Sequence, residues 1–225
     1  MAKRTKLVDR VLPTYTKGEE IFNMVSHIVA ATCGIAALVL CIVFSVIKNN
    51  PYGVASGIVF GVTLLILYTM SSIYHGLNPK LKAKKVFQVI DHCSIFLLIA
   101  GSYTPFCLCT LREYNPYLGW WVFGIVWGAA ILGVVFNSID LKKYKLFSMI
   151  CYLTMGWLII IRIDVVYKML GLAGFSLLVL GGVVYTVGAI LYGKGKKQKW
   201  MHSIFHLCCL IGSVLHILCV LLFVI

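Results

Sequence analysis

Seven apolar stretches, at roughly 24–47, 53–74, 91–111, 118–139, 146–166, 171–192 and 202–225, leave this chain few folds to choose from. A helix needs about 20 apolar residues to cross a bilayer. Inside lipid every backbone N–H and C=O must be satisfied within the protein, so only helices and closed barrels can span. Runs of this length are helical in scale, and the expectation is an all-α bundle of seven transmembrane helices. The bulk composition agrees, since 61% of the 225 residues are hydrophobic, 12% are charged and the mean hydropathy is +0.96. The breaks between runs are turn-rich or charged: Lys48-Asn49-Asn50-Pro51, Asn78-Pro79 through Lys85, Asn115-Pro116, Asp140 to Lys145, Tyr167 to Gly171, and Gly193 to Lys199. Residues 1–22 read as a polar, basic tail without the short apolar core of a signal peptide, and are expected to be retained. Residues 23–225 then form one membrane domain.

The charge is a topology signal. The formal charge of +13 comes from 20 Lys and Arg against 7 Asp and Glu. Five of the basic residues lie in the tail, four after the second run, three after the fourth and four after the sixth, which makes sixteen on one side. Lys48, Arg112, Arg162 and Lys168 remain for the other. Basic loops stay in the cytoplasm, so the N-terminus is expected inside and the C-terminus outside. The same cations favour anionic lipid at the cytoplasmic face. They sit in short loops between apolar runs, which argues against nucleic acid as a partner. Nine cysteines, mostly within the runs, show neither a CxxC pair nor a secreted framework, and read as small packing residues.

Against this apolar background a few polar side chains stand out. His202 and His206 are four residues apart, hence one above the other on a helix face. Imidazoles are costly in a membrane, and such a pair is a functional-site hypothesis by default. The spacing suits two metal ligands on one helix, or two interfacial histidines. With the N-terminus inside, His27, His75, Asp91, His202 and His206 all fall at the cytoplasmic ends of their helices, at similar depth. Ser71 lies one turn from His75 on the same face, and would either bond back to its own helix carbonyl or address a water or substrate oxygen. Asp91 reads equally as a helix N-cap or as a site carboxylate.

Taken together, Glu19-x3-Asn23-x3-His27, Ser71-x3-His75, Asp91 and His202-x3-His206 resemble the motifs of the hemolysin III family. That family belongs to the progestin and adipoQ receptor (PAQR) superfamily, which includes the adiponectin receptors. A wider grouping with alkaline ceramidases is proposed to comprise membrane hydrolases. The resemblance runs from the first helix to the last. It implies zinc held by His75, His202 and His206, a water near the metal held by Asp91, and Ser71 completing the site from below. The length and short tail look like the bacterial branch.

Three neutral imidazoles leave a fourth position for water, the pattern of catalytic rather than structural zinc. Such a metal brings bound water towards a pKa of about 7 and polarises a carbonyl. Asp91 would act as general base or orient that water. The expected activity is zinc-dependent hydrolysis of a membrane lipid amide or ester in the cell membrane. The alternative is a membrane sensor or cytolytic protein in which zinc is structural. His27 would hold a ligand's tautomer from behind or, with Asn23 and Glu19, cap the first helix. His92 points about 100° away from Asp91 and reads as structural. His216 is about 15 Å deeper than His206 along a helix, too far for the same metal. Pro105 is expected to kink the third helix. The pairs Gly57 and Gly61, Gly124 and Gly128, and Gly181 and Gly182 read as close helix contacts.

Overall fold

The computed structural model describes residues 4–7, 9–195 and 198–225. Lys3, Lys196 and Lys197, counted above, lie outside them. Every regular element among the described residues is a helix, and the first begins at Lys17. α1 (Lys17–Ile47) opens with a capping box: the Thr16 hydroxyl accepts the N–H of Glu19, and the Glu19 carboxylate accepts the N–H of Thr16. The cap therefore belongs to Thr16 and Glu19, not to Asn23 or His27, and it starts the helix within the expected tail. α2 (Pro51–Gly76) and α4 (Pro116–Asp140) each begin with an asparagine cap followed by proline, which lacks an N–H where none is needed.

α3 (Lys82–Pro105) begins nine residues before Asp91, so Asp91 is an interior helix residue and not an N-cap. Pro105 withdraws one N–H at its end, and the backbone continues as a π-helical stretch, Phe106–Leu111, then one turn, Arg112–Tyr114. Every residue of Phe106–Leu111 is buried. α5 (Lys145–Gly156) and a 3₁₀ segment (Leu158–Arg162) lead into α6 (Ile163–Lys194). α7 (Met201–Cys219) ends in a π-helical turn, Val220–Val224.

Six helical stretches among the described residues are long and apolar enough to cross a membrane: Lys17–Ile47, Pro51–Gly76, Lys82–Tyr114, Pro116–Asp140, Lys145–Lys194 and Met201–Val224. The fifth absorbs two of the expected runs. As a straight rod its 50 residues would reach about 75 Å. Instead it doubles back. Lys145 Nζ lies 5.1 Å from the centre of the Tyr192 ring, and Trp157 Nε1 donates to Thr186 Oγ1 at 2.9 Å. The reversal includes Gly171, whose φ of 65° and ψ of −179° only glycine adopts at little cost.

Sequence neighbours pack as spatial neighbours along α1 to α4, α6 packs on α7, and α7 returns to α1. The outward faces are apolar, with Trp121, Leu132, Ile161, Leu172 and Leu222 exposed, while Asn23, His27, Ser71, His75, Asp91 and His206 are buried. Lipid supplies no hydrophobic drive to association, so close backbone approach matters more. An added Cβ at Gly57 would lie 2.6 Å from Cys41 Cβ, and one at Gly61 2.5 Å from Leu38 Cβ, which lets α1 and α2 nearly touch. At Gly182 the nearest atom, on Trp157, would be 3.3 Å away. Gly124 and Gly128 differ from the expectation: a Cβ added at either would meet nothing within 4 Å, so neither marks a close helix contact, while Val126 and Ala130 carry the packing of this stretch. All nine cysteines are free thiols.

Candidate metal centre

Where α1 and α7 begin and α2 ends, four imidazoles converge. His75, His202 and His206 are all buried, and one ring nitrogen from each can be chosen so that the three lie within 4.8 Å of one another. Ring centres are 5.3 Å apart for His75 and His202, 4.9 Å for His75 and His206, and 4.5 Å for His202 and His206. The Nε2 atoms of His202 and His206 stand 2.9 Å apart. Two nitrogens sharing a tetrahedral ion at 2.0–2.1 Å would sit about 3.3 Å apart, so this spacing is close to that of a chelating pair.

The partners of these rings decide which nitrogens are available. His75 Nδ1 lies 2.6 Å from Glu20 Oε2. A carboxylate accepts only, so Nδ1 carries the proton and Nε2 the lone pair. That Nε2 is buried and has no hydrogen-bond partner among the described residues. His206 Nδ1 contacts His27, whose ring centre is 3.9 Å away, which leaves His206 Nε2 facing His202. Tyr15 stacks on His202 at 4.8 Å and 16°. Burial pushes the Tyr15 hydroxyl above its ordinary pKa, and it stays neutral. A histidine that ligates through one nitrogen while the other is held by a carboxylate or another ring is the arrangement that orients metal ligands. The three histidines could hold a metal ion.

Glu20 was not evident from the sequence. It is held in turn by Lys84, whose Nζ donates to Oε1 at 2.7 Å and to the Leu77 carbonyl at 3.0 Å. Lys84 is 1% exposed, although its place in a basic loop made it look solvated. The available signal was the spacing Glu20, Asn23, His27, which falls on one helix face as well as the spacing through Glu19 does. Glu19 has a different task. Besides the cap, its Oε1 accepts the N–H of Trp200 at 2.6 Å. Trp200 has a left-handed φ of 66° at the start of α7, so Glu19 pins the turn that delivers His202 and His206. Asn23 Nδ2 lies 3.5 Å from His75 Nδ1, and its Oδ1 has no partner among the described residues.

A cavity of about 470 Å³ opens from the cluster. Asp91, Ser71, His27, His202 and His206 line it, together with Leu98, Tyr103, Leu153 and Trp157. Ser71 Oγ is buried without a hydrogen-bond partner among the described residues. Its neighbour Ser72 does bond back, to the Tyr68 carbonyl at 2.8 Å, so the back-bonding anticipated for Ser71 falls to Ser72. Asp91 stands apart from the three-histidine group. His92 has Nδ1 on the Gln88 carbonyl at 2.8 Å and Nε2 on the Tyr192 hydroxyl at 3.2 Å, which uses both nitrogens. His216 contacts the Leu178 carbonyl at 3.2 Å, deeper in the bundle.

Comparison with known proteins supplies the family. Residues 15–217 match the family model "Haemolysin-III related". The chain belongs to the haemolysin III family. It is similar to "Hemolysin-3" of Bacillus cereus, 40% identical over 206 residues, which covers 92% of each chain. It is similar also to "Hemolysin-3 homolog" of Bacillus subtilis, 41% identical over 209 residues, covering 93% of this chain and 96% of that one. More distantly it resembles the human "Monocyte to macrophage differentiation factor", 27% identical over 168 residues, 70% of this chain and 66% of the relative. That likeness extends the family to the progestin and adipoQ receptor superfamily. Haemolysin III membership and the apolar helices together make this a multi-pass membrane protein.

Proposed function

We propose that the chain is a zinc-dependent hydrolase of a membrane lipid amide or ester, crossing the cell membrane seven times with its site towards the cytoplasm. The observation that carries the reading is the buried, unpartnered Nε2 of His75, aimed at two further imidazoles and fixed from behind by Glu20. Nitrogen donors without a thiolate cluster suit zinc. Three protein ligands rather than four suit a catalytic ion more than a structural one. The doubling back of Lys145–Lys194 supports two crossings there, hence seven in all. The sixteen-to-four distribution of Lys and Arg supports an inside N-terminus.

When bound, zinc polarises a carbonyl oxygen and makes water a usable nucleophile near neutral pH. The residues of the chain do the rest. Asp91 takes a proton from the attacking water and returns it to the departing nitrogen or oxygen as the acyl bond breaks. Ser71 Oγ, without a partner in its own helix, donates a hydrogen bond to a substrate oxygen. Glu20 and His27 hold the tautomers of His75 and His206. The apolar end of the cavity takes an acyl chain.

Purified protein incubated with a membrane lipid extract tests this reading. The expected result is release of fatty acid that stops on chelation and returns with zinc. Retained zinc with no lipid consumed would favour a structural metal in a sensor or cytolytic protein.

A further inference from the structure

The segment before α1 brings a cation into the same cavity. Asp9, Arg10, Val11, Pro13 and Tyr15 all line it, and Arg4 and Thr5 tie the segment to α4, through Arg4 Nε to the Ile139 carbonyl at 2.8 Å and the Thr5 N–H to Asp140 Oδ2 at 2.7 Å. Arg10 is 8% exposed, and its Nε and Nη1 are buried with no hydrogen-bond partner among the described residues. A guanidinium stays charged at any ordinary pH, and a buried charge without a partner is costly. Asp140, the carboxylate whose charge acts most on Arg10, is already engaged: besides Thr5 it accepts the N–H groups of Lys142 and Lys143, both at 3.1 Å. No ion pair links it to Arg10 among the described residues. Lys142 and Lys145 line the same cavity and add positive charge; Asp91 lines it as well, outside the three-histidine group and with no ion pair to Arg10 among the described residues.

We propose that Arg10 is the anchor for the phosphate-bearing head of a lipid whose apolar chain lies along Leu98, Ile99, Leu153 and Trp157. A planar guanidinium matches the paired oxygens of a phosphate, and the site combines a few polar groups with an otherwise apolar wall, as amphiphile sites do. Read from the sequence, Arg10 counts only as one of the basic residues of the tail. The inference rests on the cavity being a lipid site, as the proposed hydrolase requires, but it concerns binding and not turnover.

The test measures dissociation constants of purified, zinc-analysed protein in an uncharged detergent, with lysophosphatidic acid, a monoacylglycerol of the same chain and inorganic phosphate as probes. Wild type should bind lysophosphatidic acid more tightly than either other probe. Arg10→Gln should weaken lysophosphatidic acid by about ten-fold or more, the loss expected from a charge-assisted contact, and leave the monoacylglycerol unchanged. Lys6→Gln, at an exposed position outside the cavity, should change nothing. Equal binding of the two lipids by wild type overturns the proposal, and so does a Kd for lysophosphatidic acid that Arg10→Gln does not move. Inorganic phosphate binding as tightly as the lipid overturns the amphiphile. Should Arg10→Gln not fold, the wild-type contrast decides, with Arg10→Lys expected to keep part of the preference. Selective binding without turnover would remove the hydrolase and leave this site standing. Zinc-dependent turnover without selective binding would do the reverse.

Discussion

Glu20 and His75, 55 residues apart in the chain, meet through Oε2 and Nδ1 at 2.6 Å. The pair joins the start of α1 to the end of α2 and sets which nitrogen of His75 faces the other histidines. Glu20→Gln keeps the shape and loses the charge. Its expected effect is a roughly 10–100-fold weaker affinity for zinc, the usual cost of losing a carboxylate behind a ligating histidine. Competition with a chelator of known affinity measures it.

The other half of that carboxylate concerns stability. Glu20→Ala leaves Lys84 buried and unpaired, which should cost about 3–5 kcal/mol. Adding Lys84→Met removes the stranded charge, so the double variant should recover much of the thermal stability in detergent while its zinc affinity stays low. Recovery of both would mean that Glu20 acts only through Lys84.

Asp91 separates an enzyme from a zinc-stapled bundle. Asp91→Asn is nearly isosteric, and three histidines remain for the metal. The expected protein keeps its zinc and its melting temperature and loses turnover by roughly 10²–10⁴-fold, the contribution of a general base. Zinc and stability falling together would make Asp91 a structural ligand, since metal affinity is folding free energy.

Packing in the bundle is uneven, and two glycines report on it. Gly61→Val should destabilise by about 1–3 kcal/mol, because the new Cβ would lie 2.5 Å from Leu38 Cβ. Gly124→Ala should be neutral or slightly stabilising, since nothing lies within 4 Å and alanine is the better helix former. Thermal unfolding of both in one detergent gives the comparison.

Topology is tested by reporter fusions. Those placed after Lys85, Lys145 and Lys199 should read cytoplasmic, and one at Ile225 external. A cytoplasmic reading at Ile225 would remove the orientation and place the site elsewhere.

The histidine pair on α7 was legible because its spacing of four is local, and an all-helical chain with several apolar helices long enough to span was legible because lipid demands them. What could not be read is what depends on distant partners. Lys84 reads as loop because a lysine is costly in a helix core; with Glu20 beside it the helix starts at Lys82, and Asp91 ceases to be a cap. Glu19 and Glu20 are adjacent, and only the fold decides that one closes the Thr16 box and holds Trp200 while the other turns to His75. Gly171 was readable as a break, but its reversal of the chain is fixed by Trp157 meeting Thr186.

The central claim is that His75, His202 and His206 hold one zinc. Elemental analysis of purified wild type and of the His75→Ala, His202→Ala and His206→Ala variants tests it most directly. The account predicts one zinc per chain in wild type and loss of most of it in each variant. Zinc unchanged in all three would contradict it.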